Sequence, residues 1–165
     1  MKRMLIPVIA ALVLSACAGV GTAVEVDGVS FDIDDIPIET QASVVDLGTF
    51  RNALNWVIRD HVLMEAAGEQ FGISFTPEEL EARAAAALAG LSEADREDPR
   101  ANLAYFIIQA RVGVGGLLWP AVEPLLPAGV TQNQWAIEQL SAAEVDVDTR
   151  FGEWRLIPEP LVYAP

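Results

Sequence analysis

The chain carries little positive charge. Of its 165 residues only 10 are lysine or arginine, whereas 24 are aspartate or glutamate, and the formal net charge at pH 7 is -14. Proteins that bind nucleic acid rely on cations that neutralise phosphates. We therefore exclude DNA and RNA as partners and expect partners with basic or neutral surfaces.

Cysteine and histidine occur once each, as Cys17 and His61. A single cysteine excludes an internal disulfide. His61 lies between Val57 and Glu65 at helical spacing, so it is a candidate general base paired with Asp60 or Glu65. A histidine at the surface or boundary of a helix fits the same spacing, and we favour that interpretation. Because no Gly-x-Ser-x-Gly nucleophile motif accompanies it, we expect no enzymatic activity.

Patterns that bind metals or phosphates are also missing. Asp32, Asp34, Asp35 and Glu39 are close in sequence, but they lack the spacing and the glycine of an EF-hand loop. Solvated acidic side chains at the end of a strand are the simpler interpretation. The glycine-rich residues 113–116 follow no predicted strand and precede no lysine, unlike a phosphate-binding loop. We expect neither a metal nor a dissociable cofactor.

The single cysteine ends a motif that resembles a bacterial lipobox. Positions 2 and 3 are basic, residues 5–14 form an almost unbroken apolar run, and residues 14–17 read LSAC. This is the organisation of a secretory signal peptide, here occupying residues 1–16. A spanning helix needs about 20 apolar residues, so the run is too short to be an uncleaved anchor. Cleavage is expected between Ala16 and Cys17.

The lipobox implies that Cys17 receives a thioether-linked diacylglyceryl group, whose acyl chains include palmitate. Two acyl chains anchor a protein stably. Cleavage removes Lys2 and Arg3, so the net charge of -14 becomes -16 and no lysine remains. Residues 17–22 form a lipidated tether of at most about 20 Å. We expect a lipid-anchored protein on the extracytoplasmic face of the cell membrane, with its folded part close to the lipid.

The ends of the folded part carry strand patterns. Asp27-Gly28 separates two alternating runs and predicts a tight hairpin. Residues 144–148 alternate strictly between acidic and apolar side chains, which predicts a strand that pairs with this hairpin. The sequence therefore predicts a mainly α fold of about four helices, with a small antiparallel sheet formed by the N-terminal hairpin and a C-terminal strand, over residues 23–155.

Helix signals fill the middle of the chain. Asp46 is a predicted N-cap, and apolar residues then recur at three-to-four spacing until Gly72, a plausible helix end. A capping box headed by Thr76 opens the next helix at Pro77, which we expect to reach about Ala89.

A third long helix is predicted to open at Asp98-Pro99, after a short turn near Ser92. The glycines of residues 113–116 should weaken it before Pro120, and we expect residues 120–127 to form a loop. Four apolar side chains are predicted to form its inward face: Leu103, Phe106, Ile107 and Ala110.

The last helix is predicted from the capping box of Thr131 and Gln134 to about Ala142. Its apolar side chains are Trp135, Ile137 and Leu140. Residues 156–165 contain three prolines, and we expect them to form an extended, loosely held tail.

Four segments together resemble a known family. They are VDGVSF at residues 26–31, LNWVIRDHVLMEAA at 54–67, FGISFTPEEL at 71–80 and VDVDTRFGEW at 145–154. They are similar to actinobacterial lipoproteins that carry a SurA-type N-terminal chaperone domain. The chain departs from that pattern at Asp148-Thr149, where relatives usually have Asn-Pro, and in the glycine-rich stretch that includes residues 113–116. We expect no parvulin-type prolyl isomerase domain, which full-length relatives often add.

The resemblance implies an ATP-independent, chaperone-like lipoprotein that binds exposed apolar segments of exported proteins. The alternative is a non-catalytic envelope lipoprotein that docks one folded partner protein. Client binding would use large apolar side chains in a groove between the helices containing residues 50–62 and 103–110. The candidate client-binding residues are Phe50, Trp56, Tyr105, Phe106 and Trp119.

The closing motif of the last segment is assigned a structural role. It comprises Arg150, Phe151, Gly152 and Trp154, which follow the predicted strand directly. Arg150 and Trp154 are expected to stack or pair locally. The motif would then lock the strand against the hairpin without touching clients.

Overall fold

A computed structural model describes residues 21–38, 46–97, 103–113, 115–156 and 160–164. The fold is mainly helical with small antiparallel sheets, as the sequence predicts. The elements in chain order are β1 (Thr22–Val26), β2 (Val29–Asp32), α1 (Leu47–Phe71), α2 (Pro77–Ala89), α3 (Glu93–Glu97), α4 (Leu103–Val112), α5 (Leu118–Val122), α6 (Gln132–Ala142), β3 (Val145–Val147), β4 (Glu153–Arg155) and β5 (Leu161–Tyr163), with 3-10 turns at Ile33–Asp35 and Glu123–Leu125. The lipobox and the helix start at Asp98-Pro99 lie outside the described residues.

The predicted hairpin and its pairing with the C-terminal strand are both confirmed. Asp27 and Gly28 adopt φ values of 49° and 82°, the left-handed conformation that a two-residue hairpin turn requires. The strand order is β2-β1-β3, with both pairs antiparallel. The Asp27 N–H donates to the Glu144 carbonyl at 2.8 Å, so the turn itself is tied to the strand from the other end of the domain.

The long helix α1 is the centre of the core. Asp46 caps it, because its Oδ1 accepts hydrogen bonds from the Gly48 and Thr49 N–H groups at 2.7 and 2.9 Å. The Thr49 N–H is the main cause of a lowered pKa at Asp46. Gly72 ends the helix with a left-handed φ of 67°. The apolar stripe of α1 contacts β1, α4, α5, α6 and β5.

Both capping boxes are confirmed. The Thr76 hydroxyl accepts from the Glu79 N–H, and the Glu79 carboxylate accepts from the Thr76 N–H at 2.8 Å. Thr131 and Gln134 make the equivalent pair at the start of α6. The helices α2 and α6 therefore begin where the sequence predicts, because the cap depends only on residues three apart.

The predicted inward face of α4 is wrong in part. Ala110 is buried, but Leu103, Phe106 and Ile107 are only half-buried. Nearly every residue from 103 to 108 is apolar, so periodicity does not identify a face, and α4 packs against both α1 and α2. Three of the buried residues of α4 are spaced four apart, and the fourth is the small Ala110. The buried residues are Ala104, Ile108, Ala110 and Val112.

The predicted loop at residues 120–127 is also wrong, because α5 and a 3-10 turn occupy most of it. Pro120 is the third residue of α5, where an N–H has no partner inside the helix, so proline is tolerated. The helix α4 does end before the glycines, as expected. A Cβ on Gly116 would lie 2.6 Å from the Arg111 carbonyl oxygen, which explains the glycine there.

The tail is not loosely held. Residues 161–163 form β5, which pairs with β4 in a second antiparallel sheet. Val162 is only 6% exposed, and its N–H donates to Asn55 Oδ1 of α1 at 2.6 Å. In α6, Trp135 and Leu140 are buried, but Ile137 is 40% exposed because it lies about 200° around the helix from Trp135.

Every described core residue lies between Ala23 and Val162. These residues form one continuous core, so we expect the chain from Ala18 onward to fold without residues 1–17. Within the described ranges, no helix combines the length and the apolar character needed to cross a membrane.

Candidate functional site

An open cleft of about 540 Å³ lies where β2, α1 and α4 meet. It therefore lies between the two helices where the sequence places a groove. Its apolar walls include Phe31 of β2, Val57 of α1, and Ile107 and Ile108 of α4. Its polar groups are those of Ser30, Asp35, Asp60, His61 and Arg111.

An ion pair joins the two helices at the cleft. Arg111 Nη1 of α4 lies 3.2 Å from Asp60 Oδ2 of α1, and the two side chains are 31% and 21% exposed. Asp60 Oδ1 and Arg111 Nε are buried and make no hydrogen bond within the described part of the chain. The ion pair therefore leaves one buried acceptor, Asp60 Oδ1, and one buried donor, Arg111 Nε, without a hydrogen-bond partner among the described residues.

Burial raises the pKa of Asp60 above its ordinary value. The charge and hydrogen bond of Arg111 act in the opposite direction, and the charge of His61 does so to a smaller extent. Desolvation is the larger effect, so the ionised carboxylate is held at this position at a cost to the fold.

His61 is a boundary residue on the same face of α1. Its Nε2 lies 3.2 Å from Glu65 Oε2, but the two groups are not aligned for a hydrogen bond. The ring contacts Phe31 edge-on, with 5.3 Å between ring centroids. Ser30 also lines the cleft, but its hydroxyl lies near Glu25 Oε2 at 3.5 Å. The described residues therefore do not pair His61 with a serine nucleophile.

The candidate client-binding aromatics fall into two groups. Phe50 and Trp119 are only 8% and 7% exposed. Phe50 stacks on Phe151 with 4.4 Å between centroids, and Trp119 packs edge-on against Trp135. These two candidates belong to the core, so they do not offer a surface to a client.

The other three candidates form a half-buried cluster on α1 and α4. Trp56 contacts Tyr105 edge-on at 5.3 Å, and Tyr105 contacts Phe106 at 5.4 Å. None of the three lines the cleft as described. The phenyl ring on the cleft wall is that of Phe31, which is not among the five predicted client-binding residues.

The closing motif fastens the loop after β3 to the rest of the domain. Arg150 Nε and Nη2 both donate to the Asp148 carboxylate at 2.7 to 3.0 Å, and these bonds lower the Asp148 pKa. The Phe151 carbonyl accepts from Arg51 Nε of α1 at 2.8 Å. Gly152 lies against β5, where a Cβ would be 2.3 Å from the Tyr163 carbonyl oxygen. Trp154 packs against the core from β4.

The ion pair of Asp60 and Arg111 is not among the features predicted from the sequence. One signal was available: Arg111 is the sole charged residue between positions 103 and 119. An isolated cation in an apolar helix is seldom buried without a partner. Its partner was not identifiable, because Asp60 is 51 residues away in the chain.

Comparisons of the chain with protein-family models, with curated proteins and with solved structures find no match. Among the described residues, no group of three or more histidine, cysteine, aspartate or glutamate side chains is arranged to hold a metal ion. The cleft between β2, α1 and α4 is the structural feature on which the proposed function rests.

Proposed function

We propose that the protein is a lipid-anchored, ATP-independent chaperone-like protein that binds exposed apolar segments of exported proteins in the cleft between α1 and α4. The observation that carries this proposal is that the cleft is open and has apolar side chains on its β2, α1 and α4 walls. Its volume of about 540 Å³ lies within the range of pockets that bury a ligand.

The size of the cleft favours weak, reversible binding. Full burial of one leucine-sized side chain contributes roughly 1.5–3 kcal/mol. Two such side chains give about 3–6 kcal/mol before the cost of ordering the segment is subtracted. These free energies correspond to dissociation constants of about 40 μM to several millimolar, and the ordering cost weakens binding further. Binding of this strength releases a client without ATP.

The proposal includes the lipid anchor at Cys17. A domain tethered to the membrane by residues 17–22 stays within about 20 Å of the lipid, close to segments that emerge from an export channel. The Cys17→Ser variant should fail to incorporate a labelled fatty acid and should leave the membrane fraction. A variant that still carries the label would contradict lipidation at this residue.

Suppression of client aggregation tests the cleft. The chain from Ala18 onward, at several-fold molar excess, should slow the aggregation of a chemically denatured client as followed by light scattering. Ile107→Glu places a charge on the cleft wall and should remove this effect. Ile137→Glu makes the same change on an exposed position of α6 and should retain it. Circular dichroism checks that both variants are folded.

The outcomes separate the two functions considered. If the wild-type chain does not slow aggregation, the chaperone proposal is wrong. Saturable binding of one folded envelope protein, without binding to denatured chains, would then support the docking alternative. Equal activity of Ile107→Glu and wild type would show that clients bind elsewhere on the surface.

A further inference from the structure

The strand β2 is an edge strand with free main-chain groups. Within the described residues, β2 pairs with β1 on one side and with no strand on the other. Antiparallel strands direct the hydrogen-bonding groups of successive residues to alternate sides. Two hydrogen bonds show which residues direct these groups to the β3 side. The Ala23 carbonyl of β1 accepts from the Asp148 N–H, and the N–H of Asp27, directly after β1, donates to the Glu144 carbonyl.

The alternation fixes the direction of the Ser30 main chain. Glu25 lies midway between Ala23 and Asp27, so its N–H and C=O also point to β3. Ser30 is directly opposite Glu25 in the hairpin. The Ser30 N–H and C=O therefore point away from β1, toward the outer edge. Asp32, the next residue with outward groups, already donates its N–H to Asp35 Oδ2 at 2.9 Å.

Two residues of this edge strand line the cleft. Ser30 and Phe31 form its β2 wall, and Phe31 contacts His61 of α1. A further strand would lie about 4.8 Å beyond β2, and there it would cover the cleft. Val29 shares the inward face of Phe31 and is 44% exposed, so this face of the edge strand has apolar surface to cover.

We propose that the segment bound in the cleft adds to the sheet as a strand beside β2, with its main chain bonded to the Ser30 N–H and C=O. This inference rests on the proposed function and specifies how the client is recognised. The residue opposite Ser30 supplies the two main-chain bonds, and its neighbours direct their side chains into the cleft. Recognition through the main chain is common to all extended sequences, which suits a protein with many clients.

The charges on the cleft walls favour a neutral or basic segment. Asp60 and Arg111 neutralise each other on the cleft walls, so the carboxylate of Asp35 is the net charge of the described lining. An acidic segment would add like charge to a chain whose mature net charge is -16, that is, -14 less the two cations of the leader.

The test removes the outward N–H of Ser30 and leaves the hairpin intact. Ser30→Pro removes that N–H at an edge position, where proline is accommodated because the N–H does not bond to β1. Ser30→Ala is the matched control, because it keeps the main-chain N–H and removes only the hydroxyl, which is directed to Glu25 Oε2 at 3.5 Å. The probe is a fluorescein-labelled heptapeptide of alternating leucine and glutamine, and binding to the chain from Ala18 onward is measured by fluorescence anisotropy.

We expect Ser30→Pro to weaken binding about tenfold and Ser30→Ala to change it less than twofold. A second measurement does not depend on the folding of the proline variant. The wild-type chain should bind a heptapeptide with N-methylated amides at least tenfold more weakly than the unmodified probe. Methylation removes main-chain donors and keeps the side chains.

The experiment distinguishes a failure of strand addition from a failure of the proposed function. If both the Ser30→Pro variant and the N-methylated peptide bind as tightly as their references, strand addition is wrong and the proposed function stands. If the wild-type chain does not bind the probe at all, both are wrong. Dimerisation of the chain that is displaced by the peptide would show that a second copy occupies the edge, which also overturns the inference.

Discussion

Replacing Arg111 with methionine gives the sharpest test of the polar part of the cleft. Methionine keeps most of the apolar stem of the side chain and removes the cation that lies 3.2 Å from Asp60. At pH 7 the variant leaves the Asp60 carboxylate partly buried and without its partner. We expect a loss of unfolding free energy because burial already disfavours the charged form of Asp60.

The magnitude follows from the exposure of the pair. Breaking a fully buried ion pair costs about 3–5 kcal/mol, and an exposed pair contributes roughly 0.2–1 kcal/mol. The Arg111 and Asp60 side chains are 31% and 21% exposed, which places this pair between the two cases. We expect Arg111→Met to lower the free energy of unfolding by about 2 kcal/mol at pH 7. The matched control is Arg155→Met, which removes the exposed pair with Glu153 and should cost less than about 1 kcal/mol.

The cost should depend on pH in a definite direction. Burial raises the folded-state pKa of Asp60 above its ordinary value of 3.8. Proton uptake by Asp60 therefore stabilises the folded state below 3.8, and this stabilisation is lost as the pH rises through the folded-state pKa. Removing Arg111 raises that pKa further, so the deficit of the variant should be largest at pH 7 and should shrink toward pH 4.

Urea denaturation at several pH values measures this dependence. The free energy of unfolding is obtained for wild type, Arg111→Met and Arg155→Met between pH 4 and pH 7. A deficit of Arg111→Met that is no larger than that of Arg155→Met, or that is the same at pH 4 and pH 7, would refute the reasoning.

Three further predictions concern the tail, a glycine and the charge of the cleft. Asn55→Ala should lower the free energy of unfolding by about 1–2 kcal/mol in thermal or urea denaturation, because the Val162 N–H loses its acceptor at 2.6 Å; no loss would contradict docking of the tail. Gly152→Ala should destabilise more than Gly68→Ala in α1, since its Cβ would lie 2.3 Å from the Tyr163 carbonyl oxygen whereas a Cβ on Gly68 would make only an ordinary 3.5 Å contact with the Ile73 carbonyl oxygen; similar losses would contradict the close contact. A heptapeptide with arginine in place of glutamine should bind more tightly than one with glutamate in anisotropy titrations, and salt should reduce the difference. Equal affinities at low salt would show that the cleft does not discriminate by charge.

The features predicted correctly from the sequence depend on residues that are close in the chain. Asp46, Thr76 and Thr131 cap their helices through side chains that reach two or three residues ahead. Asp27-Gly28 forms the hairpin because its two backbone conformations are set locally. Such signals need no knowledge of tertiary packing.

The incorrect predictions concern features that depend on tertiary packing. The face of α4 was misjudged because nearly all of its side chains are apolar, and the choice among them depends on α1 and α2. The prolines of the tail predict a loosely held segment, but Asn55 binds Val162 from a position 107 residues away. The loop predicted at residues 120–127 is wrong because the first turn of α5 accepts Pro120.

The cleft lies between the two helices that the sequence proposes as the walls of a groove, but its lining differs from the proposed residues. A groove between residues 50–62 and 103–110 was expected, and the cleft lies there. Its residues differ from the aromatic candidates, because size alone does not distinguish a core ring such as Phe50 or Trp119 from a surface ring. Phe31 lies on the cleft wall because β2 brings its ring against His61 of α1. Predicting this contact requires the register of the hairpin.

The central claim is that apolar peptide segments bind in the cleft between β2, α1 and α4. The most direct measurement is an NMR titration of the isotopically labelled chain from Ala18 onward with the unlabelled leucine and glutamine heptapeptide. The account predicts saturable shifts of backbone amides concentrated at Ser30, Phe31, His61, Ile108 and Arg111. Shifts concentrated on α6, or no saturable shift at millimolar peptide, would contradict it.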